Sequence, residues 1–202
     1  MEEVGSSCHL HSSVWSADGE RSLMWDEGAP HHMSDTMRGW LGGIIATGAE
    51  FAWLFAPYVN SYKRYQPESW APTALAWGRD NRTCGYRIVG HGAGFRMESR
   101  VPGADVNPYL AYAATIAAGL HGIEVGLEPG DPFAGNAYAD ASLARVPHTL
   151  VDAIAAFEGS EVARAAFGEE VHHHLLNTAR QEWNACNRVV TDWERRRNFE
   201  QI

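Results

Sequence analysis

The sequence predicts an α+β fold: an antiparallel, curved sheet carrying a site, with helices packed behind it. Three observations predict it. Short extended runs occur at residues 8–15 and again at 73–77, 85–89 and 96–101. Apolar residues recur at spacings of three and four across 34–56 and 169–193. Between the helical stretches lies a segment rich in Gly, Pro and Arg, which suits a sheet edged by loops rather than a helical bundle.

The first extended run is Cys-His-Leu-His-Ser-Ser-Val-Trp. As a strand it puts Cys8, Leu10, Ser12 and Val14 on one side and His9, His11, Ser13 and Trp15 on the other. Ala17-Asp18-Gly19-Glu20 reads as a turn. Ser34-Asp35 opens a helix whose wide apolar face is Met37, Trp40, Leu41, Ile44, Ile45, Phe51, Leu54 and Phe55; Pro57 ends it. Four glycines, at 39, 42, 43 and 48, lower its propensity, so tertiary packing must hold it. Asn107-Pro108 is a capped helix start, and residues 109–125, almost free of charge, read as a buried helix. Residues 128–148 are loop. Thr149 caps a helix over 150–157, with Asp152 three residues on. A last helix spans about 169–193, with Val171, Leu175, Ala179, Trp183, Cys186 and Val190 as its buried stripe.

With 202 residues, 45% of them hydrophobic, the chain can bury a sizeable core. A net charge of −9 argues against a nucleic-acid partner. Cys8, Cys84 and Cys186 are odd in number and far apart, which fits a reducing compartment. No run of about 18 apolar residues predicts a membrane span, and the N-terminus lacks a basic region followed by an apolar one. The expected location is the cytoplasm, with no membrane partner.

Two His separated by one residue on a strand project about 7 Å apart on one face, so His9 and His11 can serve one site; two solvent-facing His on an edge strand is the bland alternative. Arginines crowd residues 64–100. Arg96, Glu98 and Arg100 alternate, so a strand projects all three from one face, where they need partners. Glu98 can pair with its neighbours, or bound carboxylate and phosphate can compensate the arginines. The spacing leaves both open. His172-His173-His174 fan around a helix and cannot converge, so they read as a solvated face, as do His31-His32 in their loop. Gly90-His91-Gly92-Ala93-Gly94 joins two strands and opens no helix, so no dinucleotide fingerprint is present.

In order along the chain, Gly5 to Ser13, Asn60-Ser61-Tyr62-Lys63-Arg64, residues 81–87, residues 96–102 and Asn107-Pro108-Tyr109-Leu110-Ala111 resemble the C-terminal catalytic region of glutamine synthetases. The resemblance covers residues 4–140 and weakens in the C-terminal helices. It implies a ligase that joins the glutamate γ-carboxylate to ammonia or an organic amine through γ-glutamyl phosphate, with ATP as co-substrate and Mg²⁺ or Mn²⁺ as cofactor. By the same resemblance, His9 and Glu98 are metal ligands, and His11 and Ser13 contact ATP. Gly5, Arg64 and Arg100 hold glutamate. Arg82 lies at the transferred phosphoryl group, and Arg87 and Arg96 at the nucleotide phosphates.

Three departures follow. The family loop carries Glu before Ala-Pro, where this chain has Trp70; a Trp packs against an alkyl amine and cannot deprotonate ammonium, so the resemblance points to the branch that γ-glutamylates organic amines such as polyamines, although Glu68 lies two residues away. Val4 stands in place of Asn before Gly5. The segment from Arg87 to Arg96 is short and has no Lys. Family members are more than twice as long, so residues 1–202 correspond to the C-terminal portion of the catalytic domain, without the N-terminal β domain. His9 and Glu98 are two ligands of about six, so the isolated chain is expected not to turn over. A homo-oligomer is expected for a full-length protein and is doubtful for this portion. The rival expectation is a non-catalytic remnant of the same fold with a structural or assembly role.

Overall fold

A computed structural model describes residues 5–199 and residue 201; Val4 lies outside the described residues. Four strands form one sheet in the order β1 (Leu10–Ser12), β4 (Arg96–Ser99), β3 (Cys84–Val89), β2 (Ala74–Arg79). The β1–β4 and β4–β3 pairs are antiparallel, as the sequence predicts. β2 and β3 run parallel, so the sheet is mixed rather than wholly antiparallel. Asp80 takes a left-handed turn (φ 50°), and Asn81 folds back over Gly78. A Cβ on Gly78 would lie 2.8 Å from both the Asn81 Cβ and the Phe133 carbonyl oxygen, so the return path requires glycine there.

One face of the sheet carries Leu10, Tyr86, Ile88 and Met97 into the core. Behind it lie α1 (Asp35–Ala46) and α3 (Pro108–Val125). Ser34 caps α1 by accepting from the Met37 amide, and Asn107 caps α3 by accepting from the amides of Tyr109 and Leu110. The two helices approach through glycine. A Cβ on Gly39 would lie 2.8 Å from the Ile123 Cα, and one on Gly43 would strike the Ala118 carbonyl oxygen. The same glycines that weaken α1 as an isolated helix therefore make its packing possible.

Four helical expectations change. The helix predicted over 34–56 breaks: α1 stops at Ala46, and α2 spans only Ala52–Phe55. Gly48 lies at the break, where a Cβ would come within 2.6 Å of the Tyr86 hydroxyl, so the chain bends around a core tyrosine. α3 is buried on one face alone; Tyr109, Tyr112, Ile116 and Leu120 remain exposed because only its small-residue face meets α1. The last predicted helix splits into α6 (Glu169–Asn187) and α7 (Asp192–Phe199). Thr191 starts α7 by accepting from the Glu194 amide while Glu194 accepts from the Thr191 amide. The buried stripe of α6 is His172, Leu175, Leu176 and Ala179, whereas Val171 and Val190 are exposed. His172 is therefore no part of a solvated face: its Nε2 pairs with the Phe157 carbonyl at 2.9 Å, and its ring stacks on Phe157. Between α3 and α6, Thr149 caps α4 (Leu150–Gly159) as predicted, and α5 (Glu161–Phe167) follows.

The loop between α3 and α4 straps the sheet. The Leu75 amide donates to Ala144, the Val146 amide to Thr73, and the Phe133 amide to Trp77. Ala137, Phe133 and Leu143 pack with Ala74 and Cys84 in a small second cluster.

Candidate functional site

Strand register assembles the site. His11 stands opposite Glu98 on β4, and Glu98 stands opposite Arg87 on β3. The inward partners of the same strands are Leu10, Met97, Ile88 and Tyr86, so the period-two pattern drives the charged set outward. Glu98 is nonetheless 4% exposed, because its neighbours cover it. Its Oε1 lies 3.2 Å from His9 Nδ1 and 3.6 Å from His11 Nε2. Its Oε2 accepts from Arg87 Nη1 at 3.1 Å and Arg100 Nη1 at 3.3 Å. Arg87 is also paired with Asp80, and Arg96 donates from Nε to His11 Nδ1 at 3.1 Å.

The electrostatics follow. Burial alone pushes the Glu98 carboxyl up, but the Arg87 hydrogen bond and the Arg100 charge outweigh it and hold the carboxyl below its ordinary value. Burial and the Arg100 charge hold the His9 imidazole below its ordinary value, against the pull of Glu98. Near neutral pH the pair is therefore a carboxylate beside a neutral imidazole, the protonation states that ligate a cation.

Those two donors fit a divalent cation as a partial set. A hard cation takes about six ligands, and among the described residues no cluster of three or more His, Cys, Asp or Glu side chains is arranged to hold one. The remaining ligands have to come from water, a phosphate or other protein.

A second cluster adjoins the first. Arg64 is the last residue of a short 3₁₀ stretch, Val59–Arg64. Its Nη2 donates to the carbonyls of Arg100, Val101 and Pro102 at 3.2, 2.7 and 2.8 Å. Among the described residues its Nε and Nη1 have no hydrogen-bond partner, and neither has Arg100 Nε. Unpaired, buried guanidinium N–H groups are costly unless an anion reaches them. Gly5 lies directly on the Arg64 side chain, its Cβ position 3.3 Å from Cδ, and Gly5, Ser6, Asn60, Ser61, Ala104 and Asp105 line a cleft beside Arg64. Trp70 is 64% exposed on the adjoining loop. It has a φ of 64°, rare for a bulky residue, and its carbonyl accepts from Arg100 Nη2 at 3.3 Å.

Of the residues singled out in the sequence, His9, His11, Arg87, Arg96, Glu98 and Arg100 form one connected network, with Arg64 and Gly5 attached through residues 100–102. Glu98 does pair with neighbouring arginines, so internal compensation accounts for much of the Arg-Glu-Arg alternation. Ser13 and Arg82 stand apart. Among the described residues, Ser13 Oγ accepts only from Trp15 Nε1, and Arg82, exposed in the turn between β2 and β3, has no ion-pair partner. Asp80 and Tyr138 escaped the sequence reading. Asp80 gives no periodic signal, and Tyr138 reaches the site only through the strap.

Comparison with known proteins adds family evidence. The model of the glutamine synthetase catalytic domain matches residues 1–198. A gamma-glutamylethanolamide synthetase of Streptomyces coelicolor is 54% identical over 201 residues, covering 100% of this chain and 42% of that protein. A glutamate–isopropylamine ligase of a Pseudomonas species is 39% identical, covering 96% and 42%. The solved structure of a GmaS/ADP complex superposes with a TM-score of 0.86 at 34% identity, covering 97% of this chain and 46% of that one. The chain thus spans less than half the length of these relatives.

Proposed function

This chain belongs to the glutamine synthetase family, and we propose that it is the C-terminal part of a catalytic domain that ligates glutamate to an organic amine at the expense of ATP. The observation that carries this reading is the Arg64–Arg100 pair, two adjacent guanidiniums with three nitrogens that find no hydrogen-bond partner among the described residues. Arg64 and Arg100 are the groups that would hold the glutamate carboxylates, with Gly5 against Arg64. In this structure the unsatisfied atoms are covered, so binding requires a small shift of the segment lying on them.

The reaction has two steps. The γ-carboxylate oxygen attacks the γ-phosphorus of ATP, giving γ-glutamyl phosphate and ADP. The amine nitrogen then attacks the acyl carbon, phosphate leaves, and the nitrogen loses a proton. Arg82, exposed and without an ion-pair partner among the described residues, would swing to the transferred phosphoryl group. Arg87 and Arg96, with His11 and Ser13, would meet the nucleotide; Arg87 reaches phosphate only in competition with Asp80 and Glu98. His9 and Glu98 would hold one Mg²⁺ or Mn²⁺, which when bound supplies charge neutralisation at the phosphates. The rest of catalysis is positioning and electrostatic stabilisation by these side chains.

An organic amine fits better than ammonia. Trp70 presents an exposed indole, not a carboxylate, on the loop whose carbonyl Arg100 holds. The relatives named for an ethanolamide product and an isopropylamine substrate agree with that choice. Titration of the ¹⁵N-labelled chain with L-glutamate tests the binding half of the proposal. Shifts should concentrate at Arg64, Arg100 and Gly5 and disappear in Arg64→Ala; scattered shifts, or shifts that survive Arg64→Ala, would refute it.

A further inference from the structure

The loop of residues 66–72 is held in a shape that its own sequence does not favour. Glu68 and Trp70 both take positive φ, 60° and 64°, and neither is glycine. Such a backbone persists only where surrounding contacts over-determine it. Within the loop, Ser69 Oγ donates to the Arg64 and Gln66 carbonyls and accepts from the Ala71 amide. From outside, two donors grip two consecutive carbonyls. Arg100 Nη2 donates to Trp70 at 3.3 Å, and Tyr138 Oη donates to Ala71 at 2.9 Å.

The two grips differ in kind. Arg100 is shared: Nη1 is committed to Glu98, Nη2 holds Trp70, and Nε is unsatisfied. A carboxylate arriving at Arg100 competes for the donor that holds the loop. Tyr138, among the described residues, donates from its hydroxyl to Ala71 alone. It sits on the strap, which is itself fixed: the Ala137 amide donates to Thr83 Oγ1 at 2.9 Å, Arg145 donates to the Ala137 carbonyl at 3.3 Å, and the Tyr138 amide donates to Asn136 Oδ1 at 3.0 Å.

We infer that Tyr138 is a positioning residue that keeps the Trp70 loop in place when Arg100 turns to substrate. The inference rests on the reading of Arg64 and Arg100 as the glutamate-binding pair, and it deepens that reading for the amine side. With Tyr138 present, glutamate binding and loop order are compatible; without its hydroxyl, they compete.

Hydrogen exchange on the full chain, wild type against Tyr138→Phe, tests this with and without L-glutamate. Without ligand, the variant should exchange the amides of residues 66–71 about fivefold faster, as loss of one hydrogen bond implies. Peptides from α1 and α3, and the melting temperature, should not change. With glutamate, loop exchange should accelerate further in the variant and stay unchanged in wild type. Unchanged loop exchange in the ligand-free variant, or equal glutamate-driven acceleration in both proteins, overturns the inference. Should the variant loosen the loop while glutamate perturbs neither protein, the Tyr138 latch is supported and the glutamate-site reading is the one that fails.

Discussion

His9 and Glu98 meet Nδ1 to Oε1 at 3.2 Å, with the other carboxylate oxygen of Glu98 held by Arg87 and Arg100. One buried carboxylate therefore compensates two arginines and faces two histidines. That arrangement makes Glu98 a structural keystone as well as a proposed metal ligand, and the two roles are separable by experiment.

Glu98→Gln removes the charge and leaves Arg87 and Arg100 without their shared partner in a nearly closed site. Breaking such a buried pair costs about 3 kcal/mol. Urea unfolding of the variant should show that loss as a lower midpoint at unchanged slope. A loss within error of zero would mean that water already screens the site.

The His9 imidazole titrates below its ordinary value of about 6.5. An NMR pH titration should find its midpoint below the ordinary histidine value. Glu98 pulls the His9 value up, so Glu98→Gln should lower the midpoint further. For stability the sign is the same at both groups, because both have depressed values in the folded state. Between the folded and unfolded values the unfolded chain binds more protons, so stability falls as pH drops. The His9 contribution is lost as pH falls below about 6.5, and that of Glu98 as pH falls below about 4.5. A stability curve flat from pH 7 to 4 would contradict this.

Gly43 offers a test of the fold independent of the site. Gly43→Ala drives a methyl into the Ala118 carbonyl at the α1–α3 contact. Backbone cannot give way cheaply, so the cost should be about 3 kcal/mol or more. Gly159→Ala, near the end of α4 with nothing within 4 Å of its Cβ position, is the control and should be neutral or slightly stabilising. Calorimetric melting of the two variants measures the difference.

Trp70 should set the amine. The measurable form is a chimera in which this chain replaces the matching portion of the Streptomyces coelicolor relative. Trp70→Glu in that chimera should raise use of ammonium relative to ethanolamine and isopropylamine by tenfold or so, on the order expected for one added charged contact. An unchanged amine preference would remove Trp70 from the specificity argument.

Legibility in the sequence tracked locality. Caps at Ser34, Asn107 and Thr149 are local hydrogen bonds, and they form where the residue types predict. The Arg96, Glu98, Arg100 alternation is a two-residue period, and it projects as read. What failed depends on distant partners. The break at Gly48 is set by Tyr86, and the burial of His172 by Phe157. The parallel return into β3 is set by the crossing over Gly78. Tyr138 carried no signal, because its partner lies 67 residues away. Arg82 and Ser13 came from family resemblance alone, and no contact with the charged network supports them yet.

Steady-state turnover of the chimera tests the central claim most directly. With ATP, L-glutamate and ethanolamine or isopropylamine, it should release phosphate and form the γ-glutamyl amide. The 202-residue chain alone should release none. Arg64→Ala in the chimera should raise the glutamate KM by at least tenfold, with little change in the ATP KM. A folded chimera without amide product, or one in which Arg64→Ala leaves the glutamate KM unchanged, would contradict the account.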